Sequence, residues 1–440
     1  MKAAGFVAFV LIVTGFAYLW SQNGGPGWYG AATISLLAMK LVLSWTHREK
    51  TIRTGIQRER LRRIRVGVAL PMYNEDPAML AACLRSLLAQ SRRMQSIVVV
   101  DDGSTTLDAF EEAERWIPRF AEEGVHLEVL RFSQNRGKRA GLIACLDAQP
   151  TAELLLCVDS DTVLDERALE EALIPFLKDD VTVVTGLVLA LNFKTNLLTR
   201  LIDLRYANAF LFERAAYSKL GSVLCACGSL AVYRTDVMRK YAFDFLNQQF
   251  LGRPAVFGDD RRMTNYGLLE GKAVFQQTAI AYTTVPERLG HYVRQQVRWN
   301  KSFFRESIWV LRRMPLRKPA FWLTFLELAT WAVFSAALVY ALGVAPIATG
   351  SLLIAPYLVY ISLIGYARSV RYLDLTGVRQ TRKDLAIGFL LSPLFGLLHI
   401  FLLVWLRLWS LVTLRSGAWG TRSSVEVSFS ALDAARVLQR

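Results

Sequence analysis

Acidic residues stand in three close pairs along the chain, each just beyond an apolar run. Asp101-Asp102 lead into Gly103-Ser104, Asp159 and Asp161 flank Ser160, and Asp259-Asp260 stand between Gly258 and Arg261. A further carboxylate, Glu75, closes the run Pro71-Met72-Tyr73-Asn74-Glu75. Carboxylates at a strand end can accept hydrogen bonds from ribose hydroxyls or a base N–H, and Tyr73 offers a ring for stacking on a base. The same residue types cap helices and make turns, so it is the first two clusters together that point to a nucleotide pocket. Two aspartates at i and i+2 after a buried strand can share a divalent ion, and hard oxygen ligands suit Mg2+ or Mn2+ bridging a diphosphate. Adjacent carboxylates withdrawn from water do not both ionise readily, so one of Asp259 and Asp260 is expected to have a raised pKa and act as a base. An N-cap for a helix beginning near Arg261 is the structural alternative, and the two are compatible.

A fourth cluster is helical in spacing. Gln295, Arg298, Trp299 and Ser302 fall at i, i+3, i+4 and i+7, on one face. That face presents an amide, a fixed cation and a flat aromatic surface, which is what a sugar diphosphate and an acceptor sugar need. The competing reading is an amphipathic helix on a membrane surface anchored by Trp299, and Lys301, Arg305 and Arg312 on the opposite side fit it better.

The elements that must position these residues follow from the apolar pattern. Strands are expected at Val66–Leu70, Ile97–Val100, Leu127–Arg131, Leu154–Val158 and Val181–Gly186, with helices at Pro77–Gln90, Leu107–Glu123, Lys138–Asp147 and Glu166–Lys178. Such alternation predicts a largely parallel α/β sheet, whose ligands bind beyond the carboxyl ends of the strands. The acidic clusters lie at those ends.

On either side of this region the chain is apolar and basic. It is 53% hydrophobic with a net charge of +15, which suits membrane helices joined by Lys/Arg-rich cytosolic segments. Ala3–Trp20 and Trp28–Trp45 approach the roughly 20 residues that span a bilayer, and a retained hairpin accounts for them better than a cleaved signal peptide. Ala320–Leu342 and Val344–Tyr366 are two more span candidates. In Leu385–Leu414, Pro393 is expected to break the tract into a short hairpin or a partly interfacial helix. Basic stretches at 46–65 and 367–384 belong on the cytosolic side. Five cysteines without a CxxC pair argue against a disulfide framework or a zinc site. No zinc-finger, homeodomain or RNP pattern occurs, so the basic charge is not read as nucleic-acid binding.

The order Asp101-Asp102, Asp159-Ser160-Asp161, Gly258-Asp259-Asp260-Arg261, Gln295-x-x-Arg298-Trp299 resembles the processive family 2 glycosyltransferases, which include cellulose, chitin and hyaluronan synthases. The Q-x-x-R-W element separates these polymerases from single-transfer relatives. Asn265-Tyr266, the run Gln295–Ser307, Leu390-Leu391-Ser392-Pro393 with His399, and Trp419-Gly420-Thr421-Arg422 look like bacterial hyaluronan synthases. The similarity runs to Arg422. It implies a Rossmann-like α/β GT-A catalytic domain on the cytosolic side, inserted between N- and C-terminal transmembrane helices and flanked by amphipathic interfacial helices. The divisions expected are membrane helices at 1–45, an interfacial segment at 46–65, the GT-A domain at 66–290, an interfacial helix at 291–319, a membrane region at 320–414 and a tail at 415–440.

Carried over position by position, the resemblance gives Tyr73, Glu75, Asp102 and Lys138 to uridine, and Asp159 and Asp161 to the diphosphate and its Mg2+ or Mn2+. Asp161 is the leading metal ligand. Asp260 becomes the general base beside Asp259. Gln295 and Arg298 join the catalytic set, with Arg298 meeting the leaving-group charge, and Trp299 becomes the platform for the acceptor sugar. Trp419, Thr421 and Arg422 match a loop that closes over bound UDP. The implied enzyme is an inverting, processive polymerase of the plasma (inner) membrane, multi-pass, taking UDP-GlcNAc and UDP-GlcA and exporting hyaluronan, with no obligate protein partner. The alternative is a chitin-oligosaccharide synthase-like enzyme that uses UDP-GlcNAc only. Two departures stand out: no cysteine occurs in Arg253–Phe257, and Gly228-Ser229 replaces a frequent Gly-Pro.

Overall fold

The computed structural model describes residues 27–255, 257–349 and 354–415. They fall into two compact units, one formed by 48–192 and 221–286 and the other by 27–47, 193–220 and 287–413.

The first unit is built on a sheet. Its strands are β1 (Val66–Met72), β2 (Ser96–Asp101), β3 (His126–Arg131), β4 (Leu154–Cys157), β5 (Thr162–Leu164), β6 (Val181–Ala190), β7 (Ala231–Arg234) and β10 (Lys272–Thr283), with β8 (Gln249–Phe250) and β9 (Arg253–Pro254) forming a separate hairpin. The sheet order is β3-β2-β1-β4-β7-β6-β10-β5. Strands β1 and β6 are continuous apolar runs buried along their whole length, as central strands covered on both faces must be. From β3 to β4 all pairings are parallel. Beyond β4 the sheet is mixed: β7 runs antiparallel to both neighbours and β5 antiparallel to β10. The expected largely parallel sheet therefore holds for one half only. Strands β5 and β7, of three and four residues, are too short to show a periodicity, and β10 is interrupted by a register shift between Gln276 and Ile280.

Helix Lys138–Asp147 has the expected bounds. Two others are broken where a proline removes a backbone donor. The helix expected at Leu107–Glu123 divides at Trp116, ahead of Pro118. That at Glu166–Lys178 becomes Ala168–Leu173 followed by a 3-10 turn containing Pro175.

The second unit is helical. Trp28–Trp45 is realised as helix Gly27–Trp45, whereas Ala3–Trp20 lies outside the described residues. Two helices, Pro319–Val339 and Ser392–Val412, are long and apolar enough to cross a membrane. They leave large apolar side chains uncovered, among them Trp322, Phe325, Trp405 and Trp409. The Leu385–Leu414 tract breaks between Leu390 and Ser392, just ahead of Pro393, and one 21-residue helix follows. Pro393 sits in that helix's first turn, where its missing N–H costs nothing. Residues 193–220 also belong here. Helix Leu197–Asn208 opens with a capping box between Asn196 and Thr199, and Tyr372 Oη donates to its buried Asp203 at 2.6 Å. Arg371 Nη1 donates to the carbonyls of Ser44 (2.7 Å) and Leu211 (2.6 Å), joining three separate stretches of chain.

In the sheet unit, the turn after β2 hangs on Asp101. Fully buried, its carboxylate accepts from the backbone N–H of Ser104 at 3.1 Å, from the Ser104 hydroxyl, and from Arg131 Nε at 2.9 Å. Asn74, held at φ 47°, accepts from Thr105 N at 2.8 Å and so ties the turn after β1 to the turn after β2. Asp101→Ala strands these donors and is expected to cost about 2–3 kcal/mol. Thermal unfolding of the purified full chain measures it.

Candidate active site

Strand order reverses at β1, which has β2 on one side and β4 on the other, and such a switch point opens a crevice at the strand ends. A pocket lies there, lined by Pro71 at the end of β1, Asp159 beyond β4, Lys138, Gly228, Asp259 and Asp260. Lys138 begins its helix after Gly137, which takes φ 88°. Its Nζ lies 2.6 Å from Asp159 Oδ1 and 3.5 Å from Asp259 Oδ2. The second oxygen of Asp159 accepts from Ser229 Oγ at 3.2 Å.

Gly258, at φ 94°, turns the chain into helix Asp259–Glu270, so the acidic pair occupies the first turn, where the helix dipole favours negative charge. The helix thus starts at Asp259, two residues before the expected place, and Gly258 rather than a carboxylate is its N-cap. Thr264 Oγ1 donates to the Asp260 carbonyl at 2.6 Å and accepts from Ala226 N at 2.9 Å, fastening the 226–229 loop to this turn. A Cβ on Gly228 would lie 2.8 Å from Asp260 Oδ1, 3.0 Å from Lys138 Nζ and 3.2 Å from Asp159 Oδ1. Only a residue without a side chain lets the backbone come so near all three, and the Gly228 N–H also donates to Asp260.

Their electrostatics differ sharply. Burial, then the charge of Asp259, pushes Asp260 up to about 7 against the pull of Lys138. Burial opposes ionisation of Asp259 too, but Lys138 and Arg139 overcome it and hold its pKa below the usual value. For Lys138 burial favours the neutral amine, yet Asp159, Asp259 and Asp260 together raise its pKa well above the ordinary range. Beside Asp159, the pocket therefore holds a firmly charged ammonium in Lys138, a firmly charged carboxylate in Asp259 and, in Asp260, a carboxylate poised near neutrality.

The remaining candidates lie around this centre. Glu75 is buried and accepts from Ser160 Oγ at 2.5 Å, and Asp161 Oδ1 accepts from Thr283 Oγ1 at 3.2 Å. Burial, and then the charges of Asp161, Glu75 and Asp159, push the Cys83 thiol up, so this thiol stays protonated at the base of the acidic group. Tyr73 is half-buried on the turn after β1. Asp102 accepts from the backbone N–H groups of Arg136 (2.6 Å) and Gly137 (2.8 Å), locking the approach to Lys138. Burial raises its pKa while those two N–H groups lower it. All five cysteines are free thiols. Among the described residues, no three His, Cys, Asp or Glu side chains gather as a complete metal shell.

Gln295, Arg298 and Trp299 sit on helix Leu289–Arg313 of the helical unit. Trp299 is 41% exposed, with the Arg205 guanidinium 5.5 Å from its ring centroid and Tyr206 at 6.1 Å. Lys301 and Arg305, on the side of the helix that the membrane-surface reading drew on, are buried. Trp419, Thr421 and Arg422 lie outside the described residues.

Sequence reasoning missed Gly228 and Arg139, and drew nothing from Ser229 beyond its departure from a frequent proline. One signal was available for Arg139: Lys138-Arg139 puts two cations at a helix N-terminus, where the dipole disfavours them unless carboxylates face them.

Residues 63–302 match the family model described as glycosyltransferase like family 2. The chain is 37% identical over 435 residues to the hyaluronan synthase of Streptococcus pyogenes, covering 96% of this chain and 97% of that protein. It is 33% identical over 363 residues to an N-acetylglucosaminyltransferase of Azorhizobium caulinodans, covering 82% and 88%. Among solved structures it is similar to the mannosyltransferase PcManGT from Pyrobaculum calidifontis in complex with GDP-Man and Mn2+, with a TM-score of 0.55 at 19% identity, over 85% of this chain and 98% of that one.

A raised folded-state pKa at Asp260 means that the folded protein retains a proton the unfolded chain has lost. Stability should therefore fall as pH rises from about 4, the unfolded carboxylate value, through about 7. Asp260→Asn should flatten this slope and raise the melting temperature at pH 8 while changing little at pH 4. Thermal unfolding across that range reads both.

Proposed function

Because the chain belongs to the family 2 glycosyltransferases, we propose that it is an inverting, processive membrane enzyme that joins GlcNAc and GlcA from their UDP derivatives into hyaluronan and passes the polymer across the bilayer. The observation that carries this reading is the relationship to a hyaluronan synthase along 96% of the chain. The shorter match to an N-acetylglucosaminyltransferase supports the second reading, transfer from UDP-GlcNAc alone.

In this reading Asp260 is the general base. With a pKa near 7 it is ionised in a useful fraction at cytosolic pH, yet basic enough to take a hydroxyl proton as the bond forms. The acceptor oxygen attacks the anomeric carbon from the face opposite UDP. The bond to the diphosphate oxygen breaks, its electron pair leaves with UDP, and the anomeric configuration inverts. Asp259 stays charged and keeps the pKa of its neighbour high. Asp159 and Asp161 fit Mg2+ or Mn2+, since they offer hard carboxylate oxygens and Asp159 already attracts a cation in Lys138. Such an ion, when bound, supplies positive charge against the phosphate oxygens. The contact of Lys138 with Asp159 favours the diphosphate over uracil as its substrate partner. Tyr73, Glu75 and Asp102 remain the proposed uridine side of the pocket. Trp419, Thr421 and Arg422 keep their proposed role as a loop over UDP.

The Q-x-x-R-W motif gives Gln295 and Arg298 a role toward the leaving diphosphate and Trp299 a role as floor for the acceptor sugar. The exposure of Trp299 is consistent with that. Basic stretches at 46–65 and 367–384, together with uncovered apolar side chains on Pro319–Val339 and Ser392–Val412, support a multi-pass protein of the inner membrane whose catalytic unit faces the cytosol.

Purified enzyme given Mg2+ with UDP-GlcNAc, UDP-GlcA or both should make high-mass polymer only from the mixture. Polymer from UDP-GlcNAc alone would overturn the choice of sugars in favour of the second reading. Asp260→Asn should lower elongation at least about 100-fold while UDP still binds. Near-normal polymer synthesis by that variant would remove Asp260 as the base.

A further inference from the structure

Arg139 follows Lys138 at the start of the helix Lys138–Asp147, and it is buried. Its guanidinium does not reach the pocket. Nη1 donates to the carbonyl of Phe245 and Nη2 to the carbonyl of Phe257, each at 3.3 Å, and Cζ lies 5.1 Å from the Phe245 ring centroid. Phe245 is near the end of helix Thr235–Leu246, and Phe257 immediately precedes Gly258 and the acidic pair. Between the two carbonyls the chain makes the hairpin of β8 and β9, with Leu251 and Gly252 at positive φ at its tip. One planar cation thus gathers both ends of an excursion that leads directly to Asp259 and Asp260. The neighbouring Lys138 contacts Asp159 and Asp259. Two consecutive residues therefore hold the carboxylate beyond β4 and the start of helix Asp259–Glu270 in one register.

We propose that Arg139 is a positioning residue for the transfer step: by bridging the Phe245 and Phe257 carbonyls it fixes Gly258 and the carboxylates after it relative to Asp159. This rests on the reading of Asp260 as the base. A fork-shaped cation suits this place because the two carbonyls are met by separate nitrogens, Nη1 and Nη2, held in one plane, a geometry that the one nitrogen of an ammonium does not reproduce. The charge of Arg139 also helps keep Asp259 ionised. Small displacements at a reacting centre are costly, whereas nucleotide binding on the β1 and β2 side is left alone.

The test is Arg139→Lys in the full-length enzyme, read as UDP release from whichever nucleotide sugars it turns over, with UDP affinity measured by calorimetry on the same preparation. A kcat lower by about 10- to 100-fold, with KM and UDP affinity within about twofold of the parent, is the expected result. Retention of kcat within twofold would overturn the proposal. Loss of UDP binding together with kcat would also overturn it, since that would make Arg139 a folding residue. Asp260→Asn is run alongside. If Asp260→Asn stays active, it is the base assignment that has failed; if Asp260→Asn loses activity while Arg139→Lys keeps kcat, the positioning role alone has failed. Because UDP is counted rather than polymer, a wrong choice of sugars leaves the outcome unaffected.

Discussion

A single ammonium, that of Lys138, governs the arrangement of the pocket. Four charged groups meet around Gly228, and three of them are carboxylates that would repel one another if left alone. Lys138 neutralises Asp159 at 2.6 Å and reaches Asp259 at 3.5 Å, so the burden of mutual repulsion falls on Asp260. That is why two adjacent aspartates on the same helical turn behave differently: the one that faces the cations stays ionised, and the other is left near neutrality. The sheet serves this point. Its strand order reverses at β1, the Asn74 and Asp101 turns brace the adjoining loops, and Asp102 secures the backbone that delivers Lys138.

The helical unit is organised by different forces. Its apolar helices bury one part of their surface against one another, while bulky side chains such as Trp322 and Trp409 remain uncovered. Its internal order comes from a buried apolar cluster of Leu338, Ile361, Ile400 and Val404 together with specific polar ties. Asp203 receives Tyr372, Arg371 spans the Ser44 and Leu211 carbonyls, and Arg205 Nη1 donates to Tyr292 Oη at 3.1 Å. In surroundings that compete weakly for hydrogen bonds, such ties specify which helices are neighbours.

Much of the parallel half of the sheet could be read from the chain because its central strands are continuous apolar runs, as in β1 and β2. Helix Lys138–Asp147 could be read because Gly137 precedes it and no proline interrupts it. The mixed half could not: β5 and β7 are held by their neighbours, and nothing in three or four residues announces a direction. The acidic residues were visible because carboxylates are conspicuous letters. Gly228 was hidden for the opposite reason, since its contribution is the space left by a missing Cβ. Arg139 was hidden because its partners are backbone carbonyls, which no sequence distinguishes. The burial of Lys301 and Arg305 was not legible either, because charge pattern alone does not reveal burial.

The excursion of residues 193–220 out of the sheet unit also bears on how the protein is made. The ribosome releases β6 first, then a helix whose packing partners lie after residue 287, and only afterwards β7 and β10, which complete the sheet. Neither unit can close before the other's segments have been translated. For a time the nascent chain carries an unfinished sheet edge, an aggregation hazard of the kind described for slowly completed sheets. Its folding should therefore depend on keeping the open edge of β6 from other chains until residues 221–286 have been made.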